Sequence, residues 1–202
     1  DLESFFDSIN FGRVRGLFLS SSFNCSEKVA TVLAQIICYK NALPQGACTS
    51  PIVANMIARR LDSSLIHLAK KTRSQYTRYV DDITFSTTKR KLSTSIVDHC
   101  GTIPNKDVNL GHELKRIIKE EGFLLNDRKT RVQDKTVRQE VTGVVINEFP
   151  NVRREFIRSI RMMLHMWKKF GLDNASSYFR NNIYKKPSKL DNEKLFKAVL
   201  TG

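Results

Sequence analysis

Apolar residues recur at helical spacing in four stretches of the chain. Val29, Val32, Leu33, Ile36 and Ile37 fall on one side of a 3.6-residue repeat, behind a serine of the kind that caps helix N-termini; they predict a core helix over Ser26–Lys40. Pro51 suits a first helical position, and Ala54, Ile57, Leu61, Leu65 and Leu68 continue one stripe. A second helix of about five turns is therefore expected from Ser50 to near Lys71. Leu110, Leu114, Ile117 and Ile118 predict a third, stopped by Gly122. The fourth, Arg153–Phe170, sets Phe156, Ile160, Met163, Leu164 and Trp167 on one face and Arg154, Arg158, Arg161, His165 and Lys168 on the opposite one.

Between these lie β-rich segments. Tyr76–Val80 and Ile83–Thr87 flank Asp81-Asp82, a hairpin pattern with two acids at the turn. Lys129–Val132 and Val141–Ile146 also read as strands. Leu2, Phe5, Phe6 and Ile9 predict a short strand leading into a helix, with Asp1 at the strand end. Helices mixed with an antiparallel hairpin make the expected class α+β. Glu148–Asn151, where β-like sequence gives way to the basic helix, divides the chain into expected regions 1–148 and 149–202.

With 202 residues, 41% of them hydrophobic, the chain is long enough for one substantial core, or a core and a small lobe. No apolar run approaches the roughly 18 residues of a membrane span, and no leader precedes Asp1, so the sequence reads as part of something longer. A net charge of +14 favours polyanionic partners. The excess is uneven, since residues 151–202 hold 12 basic and 4 acidic residues and the rest hold 22 and 16. Cys25, Cys38, Cys48 and Cys100 form no CxxC pair, and His67, His99, His112 and His165 show no HxxxH spacing. A disulfide scaffold and zinc hydrolysis thus lack support, and a reduced cytoplasmic protein is expected.

Adjacent carboxylates repel, and both remain ionised most readily beside a cation, so a hairpin displaying Asp81-Asp82 is a candidate Mg²⁺ site; the plain alternative is a solvated turn. Asp1 changes the balance, because a two-metal phosphoryl-transfer site draws carboxylates from separate strands onto ions about 4 Å apart. Leu43-Pro44-Gln45-Gly46 adds a turn and an amide ahead of the Ser50-Pro51 helix. At this point the chain resembles the reverse transcriptases, in particular the bacterial retron-like and defence-associated branch. Asp1–Ile9 looks like the first palm motif, Leu43–Pro51 the second, Tyr79–Asp82 the third and Gly122–Thr130 the fourth. Val141-Thr142-Gly143 followed by Asn147 resembles the segment that retron enzymes carry before the thumb. Five motifs in order across roughly residues 1–170 are far more specific than any one of them.

The resemblance implies a polymerase palm, with a small antiparallel sheet backed by helices, followed by a partial helical thumb. It makes Asp1 and Asp81 the principal ligands of two Mg²⁺ ions, with Asp82 beside them and the Leu2 carbonyl as a further ligand. Phe6 matches the aromatic gate that favours dNTPs, Gln45 and Gly46 match the nucleotide- and template-contacting loop, and Lys129 matches the lysine that protonates departing pyrophosphate. Arg154, Arg158, Arg161 and Lys168 would follow the primer-template duplex. The family's basic fingers residues are missing ahead of Asp1, which implies nucleotide addition only with that portion restored. Val80 and Cys48 stand where relatives often carry Ala and Pro.

The function so implied is RNA-directed DNA synthesis from a primer 3′-hydroxyl. Its implied partners are an RNA template, an RNA-DNA primer duplex and dNTPs, with a dedicated non-coding RNA and an effector protein in an antiviral setting, and no membrane. A group II intron-type enzyme is the rival within the family, and a non-catalytic RNA-binding palm scaffold the rival outside catalysis. A scaffold makes poor sense of Asp1, Asp81 and Asp82, since carboxylates in a positive cleft weaken nucleic-acid binding unless they hold metal.

Overall fold

A computed structural model describes residues 1–100, 108–184 and 190–201, without the side chains of His99, Cys100 and Thr201. The chain forms two compact units, Asp1–Val137 and Arg138–Gly202, so the β-rich stretch before the basic helix groups with that helix. The mixed α+β class is observed, with three separate two-stranded antiparallel ladders among the described residues.

In the first unit the chain runs from α1 (Phe5–Ser8) and α2 (Phe11–Leu19) to α3 (Glu27–Ile37). Asn10 caps α2 by accepting the Arg13 N–H at 3.0 Å, and Ser26 caps α3 as its residue type predicts. The expected inner face of α3 is corrected. Ala30 and Ala34 are buried, while Val29, Val32 and Ile36 are exposed, because the helix packs closely on α2 through its small residues. α4 (Ser50–Ile57) and α5 (Arg59–Thr72) replace the single long helix expected; the break falls at Ala58, and Ala54, Leu61, Leu65 and Leu68 are all buried in one stripe as their spacing predicts.

β1 (Gln75–Tyr79) and β2 (Asp82–Ser86) pair from Gln75↔Ser86 to Tyr79↔Asp82, leaving Val80 and Asp81 as the connection. β3 (Val97–Cys100) and β4 (Val108–Leu110) form a second ladder, which takes Leu110 out of the helix expected there. That helix is α6 (His112–Glu120), with Leu114, Ile117 and Ile118 inside. Leu2, Phe5, Ile9, Leu43, Leu61, Leu65, Ile118 and Phe123 belong to the core of this unit. The strand expected at Lys129–Val132 is absent. The Lys129 and Thr130 N–H groups bond back to the Asn126 and Asp127 carbonyls, and the Thr130 hydroxyl also returns to Asn126, so the chain turns instead of extending.

In the second unit the single strand expected over Val141–Ile146 is corrected to a tight hairpin of β5 (Glu140–Val141) and β6 (Val144–Val145). Thr142 and Gly143 both have positive φ, 48° and 87°, as a turn with two left-handed positions requires. α7 (Arg154–Asn182) is interrupted at Gly171, whose φ of 80° ends the helix one residue after Phe170 and starts another. α8 (Asn192–Thr201) packs on it, with Met163, Ala175, Phe179, Leu195 and Phe196 buried together. Trp167 meets Phe196 edge to face at 6.1 Å, so it serves this small core. Phe156 and Leu164, expected on the same face, are exposed. No helix of the described residues is long and apolar enough to cross a membrane.

Candidate active site

The two acids of the hairpin sit on a strained connection. Val80 has φ 57°, a left-handed conformation that a β-branched residue rarely adopts. Its carbonyl accepts a hydrogen bond from Arg78 Nη1 at 2.8 Å. The same guanidinium makes a fork with Asp62, Nε to Oδ1 and Nη2 to Oδ2, both 2.7 Å; Asp62 also accepts the Tyr76 hydroxyl at 2.7 Å. Asn55 receives a further bond from Nη1 at 3.1 Å. Arg78 therefore ties the turn to α5 through one planar cation whose side chain is 5% exposed. Burial alone would raise the Asp62 pKa, but the hydrogen bonds from Arg78 and Tyr76 and the guanidinium charge outweigh it and hold the carboxyl below its ordinary value. Burial and the bond to Asp62 push the Tyr76 hydroxyl far up, so it stays a donor.

The start of the chain lies against this turn. The Leu2 N–H donates to the Asp81 carbonyl at 2.9 Å, and Leu2 bridges Leu125 in antiparallel fashion. On that side the Asn126 N–H donates to the Asp1 carbonyl at 2.9 Å, and the Glu3 N–H to the Leu124 carbonyl at 2.8 Å. Residues 1–3 are thus held between the acidic turn and the 124–126 segment, with a single bridge at Leu2 in place of the short strand expected there. Lys129 Nζ reaches Asp1 Oδ2 at 3.0 Å. Asp1 Oδ1 is buried and has no hydrogen-bond partner. Asp82, Asp81, Lys129 and Arg131 all lie close enough to the Asp1 backbone nitrogen to act on it electrostatically. Asp1, Asp81, Asp82 and Lys129 are accordingly neighbours. Among the described residues, however, no three His, Cys, Asp or Glu side chains form a group that could hold a metal ion.

The remaining candidates distribute as follows. Phe6 is half-buried on α1 and meets Phe5 edge to face at 5.5 Å. The Leu43 N–H donates to the Ile9 carbonyl, and Ser50 Oγ donates to the Pro44 carbonyl at 2.7 Å, which fixes both ends of the Pro44–Thr49 loop. Gln45 is exposed at its tip. Gly46 has φ 87°, and a Cβ there would meet nothing, so backbone conformation is what requires glycine. Tyr79 is exposed beside the turn. In the second unit Arg154, Arg158, Arg161 and Lys168 are all exposed along one side of α7. Arg153 instead binds Glu140, a buried carboxylate that also pairs with Arg138 at 3.6 Å. Cys25, Cys38 and Cys48 are free thiols.

Sequence reasoning missed Arg78 and Asp62. Their signal was present: Tyr76 and Arg78 share one face of a strand, and Asp62 interrupts the apolar stripe of α5 beside Leu61 and Leu65.

The sequence profile of the reverse transcriptase (RNA-dependent DNA polymerase) family matches residues 1–146. The chain belongs to the reverse transcriptase family. It is 37% identical over 166 residues to the retron Ec86 reverse transcriptase of Escherichia coli, covering 82% of this chain and 47% of that protein. It is 34% identical over 193 residues to the retron Mx162 reverse transcriptase of Myxococcus xanthus, covering 84% and 39% respectively. The retron Mx65 reverse transcriptase of the same species is 34% identical over 187 residues, covering 82% and 39%. The chain spans less than half the length of those relatives, all of them retron enzymes of bacteria.

Proposed function

We propose that this chain is the catalytic palm and the first part of the thumb of a retron-type RNA-directed DNA polymerase, which extends a primer 3′-hydroxyl with dNTPs on a structured RNA. The observation that carries the reading is the backbone bond that joins Leu2 to the Val80-Asp81 turn, inside the stretch that matches the family profile. The alternative of a non-catalytic scaffold leaves the strained acidic turn and its buried arginine tether without a purpose.

By donor type the acids suit Mg²⁺, while the described residues do not draw three of them into one metal-holding group. The donors are carboxylate oxygens, the type a hard cation takes, and one of them, Asp1 Oδ1, is buried with no partner. Asp1, Asp81 and Asp82 would hold the ions, with the Leu2 carbonyl as a further oxygen. Bound there, paired Mg²⁺ would lower the pKa of the primer hydroxyl and neutralise charge on the triphosphate. The chain's own residues do the rest. Lys129, already 3.0 Å from Asp1 Oδ2, supplies an ammonium where negative charge develops on the leaving pyrophosphate and carries a proton to give it. Gln45, at the tip of a loop pinned at Pro44, contacts nucleotide or template. Phe6 excludes a ribose 2′-hydroxyl.

The role given to Phe6 predicts that Phe6→Ala, in the polymerase that contains this chain, raises rNTP incorporation relative to dNTP and leaves Mg²⁺ dependence as it was. Competition between the two sugars in a primer-extension assay reads the change, and an unaltered preference assigns Phe6 to packing against Phe5.

The exposed stripe on α7 would grip backbone phosphates and 2′-hydroxyls of an A-form hybrid. Replacing Arg154, Arg158 and Arg161 with Gln is expected to weaken primer-template binding alike for all sequences and to lower the log-log salt slope by up to about three, at roughly 0.7 to 0.9 per lost contact. The buried residues that join α7 to α8 are untouched, so the melting temperature should hold. Normal affinity with an unchanged slope would show that the face is only solvated.

A further inference from the structure

The hairpin β1–β2 has two ends. Asp81 and Asp82 lie at the closed one. At the open end, Lys70, Lys71 and Arg73 close α5, and Lys89, Arg90 and Lys91 follow β2; all six are exposed. Two contacts hold the segments side by side, Lys89 Nζ to the Thr72 carbonyl and Thr87 Oγ1 to the Arg73 carbonyl, both 3.3 Å. Leu92, packed against the core, fixes the chain just beyond. Lys71 is paired with Glu113, whereas the other five make no ion pair among the described residues.

This surface concentrates the charge of its region. Residues 1–150 carry 22 basic and 16 acidic side chains, an excess of six, and the two segments contain six basic residues and no acid. Everywhere else in that stretch positive and negative charges cancel. Arg73 adds a conformational sign, since it ends α5 at φ 54°, where glycine or asparagine would sit with less strain.

The composition of the patch selects among polyanions. Its segments, residues 70–74 and 86–91, hold only basic residues, serines and threonines. They lack the Trp, Phe or Leu that a membrane-surface element buries and the aromatic or apolar anchor of a protein interface. Cations interspersed with hydroxyls suit phosphate oxygens, without base readout. We propose that this surface holds the phosphodiester backbone of an RNA helix, separately from the strand being copied. Four residue steps of strand put the patch at least about 13 Å from the acidic turn, so both sites can be filled at once. The choice of RNA rests on the polymerase reading; the existence of the site does not.

The test measures binding of a blunt-ended RNA duplex, which offers no recessed primer end to the acidic turn, as a function of salt. Changing Lys70, Arg73, Lys89, Arg90 and Lys91 together to Gln should lower the log-log slope by about 3.5 to 4.5, from roughly 0.7 to 0.9 per contact, while extension of a saturating primer-template is unchanged. Arg73→Gly serves as the folding control. It relieves the left-handed position, so it should raise the melting temperature and still lower the slope by about one contact's worth. An unchanged slope in both variants would overturn the proposal and leave the patch a solvated face. So would loss of binding to a DNA duplex of the same sequence with RNA binding intact, or loss of binding to phosphatidylserine vesicles alone. Failure here, with primer extension normal, would leave the polymerase reading standing.

Discussion

Asp81→Asn is expected to lower the rate of nucleotide addition by about three orders of magnitude or more, because removing one metal-holding charge forfeits several kcal/mol of transition-state stabilisation at about 1.4 kcal/mol per tenfold. The fold should not suffer in proportion. The turn uses the Asp81 backbone carbonyl, which accepts from Leu2, and its side chain is only half-buried. Asparagine keeps the size and the turn preference of aspartate. Single-turnover extension beside a thermal melt separates the two effects. A rate loss that tracks a fall in melting temperature would assign Asp81 to structure, and a near-normal rate would remove it from the chemistry.

The second large effect belongs to Arg78. Arg78→Ala should destabilise the first unit by about 3 kcal/mol or more, since it leaves Asp62 desolvated and unpaired and deprives the Val80 carbonyl of its donor. Arg78→Lys keeps the charge but cannot make the fork, so it should restore part of the stability and little of the turn's rigidity. Acid unfolding supplies an independent readout. The folded-state pKa of Asp62 lies below its unfolded value, so its contribution is fully present above the unfolded pKa and is lost as pH falls through the folded one. The wild type should lose stability on acidification below about pH 4, and Arg78→Ala should lose less over the same range. If Arg78→Ala melts like the wild type with a normal extension rate, the tether is incidental.

What the sequence made legible depended on how local the cause was. The inner stripe of α4 and α5, the cap at Ser26, the helix start at Ser50-Pro51 and the Asp81-Asp82 hairpin each follow from spacing or from one residue's chemistry, and they stand close to where the pattern puts them. Val29, Val32 and Ile36 misled because periodicity gives a stripe but not the side that packs; two alanines allow the closer approach. Lys129–Val132 misled because the Asn126 and Asp127 backbone carbonyls accept from the Lys129 and Thr130 N–H groups and from the Thr130 hydroxyl, bonds that compete with an extended ladder. β3, β4 and α8 carry short or mixed patterns that tertiary packing decides. For the site, the acids were visible as motifs. The arginine tether was not, because Asp62 and Arg78 are separated by a helix end and a strand, and only the fold makes them partners.

The most direct measurement replaces magnesium with iron(II) in the polymerase that contains this chain and maps the backbone cuts made by radicals generated at the bound ion. The account predicts cuts clustered at residues 1–3, at the Val80–Asp82 turn and near Leu124–Asn126, the segments that backbone hydrogen bonds join. These cuts should fade together in Asp81→Asn while duplex binding persists. Cuts elsewhere, or a pattern indifferent to Asp81→Asn, would contradict it and leave a palm that binds nucleic acid without a metal centre at the acidic turn.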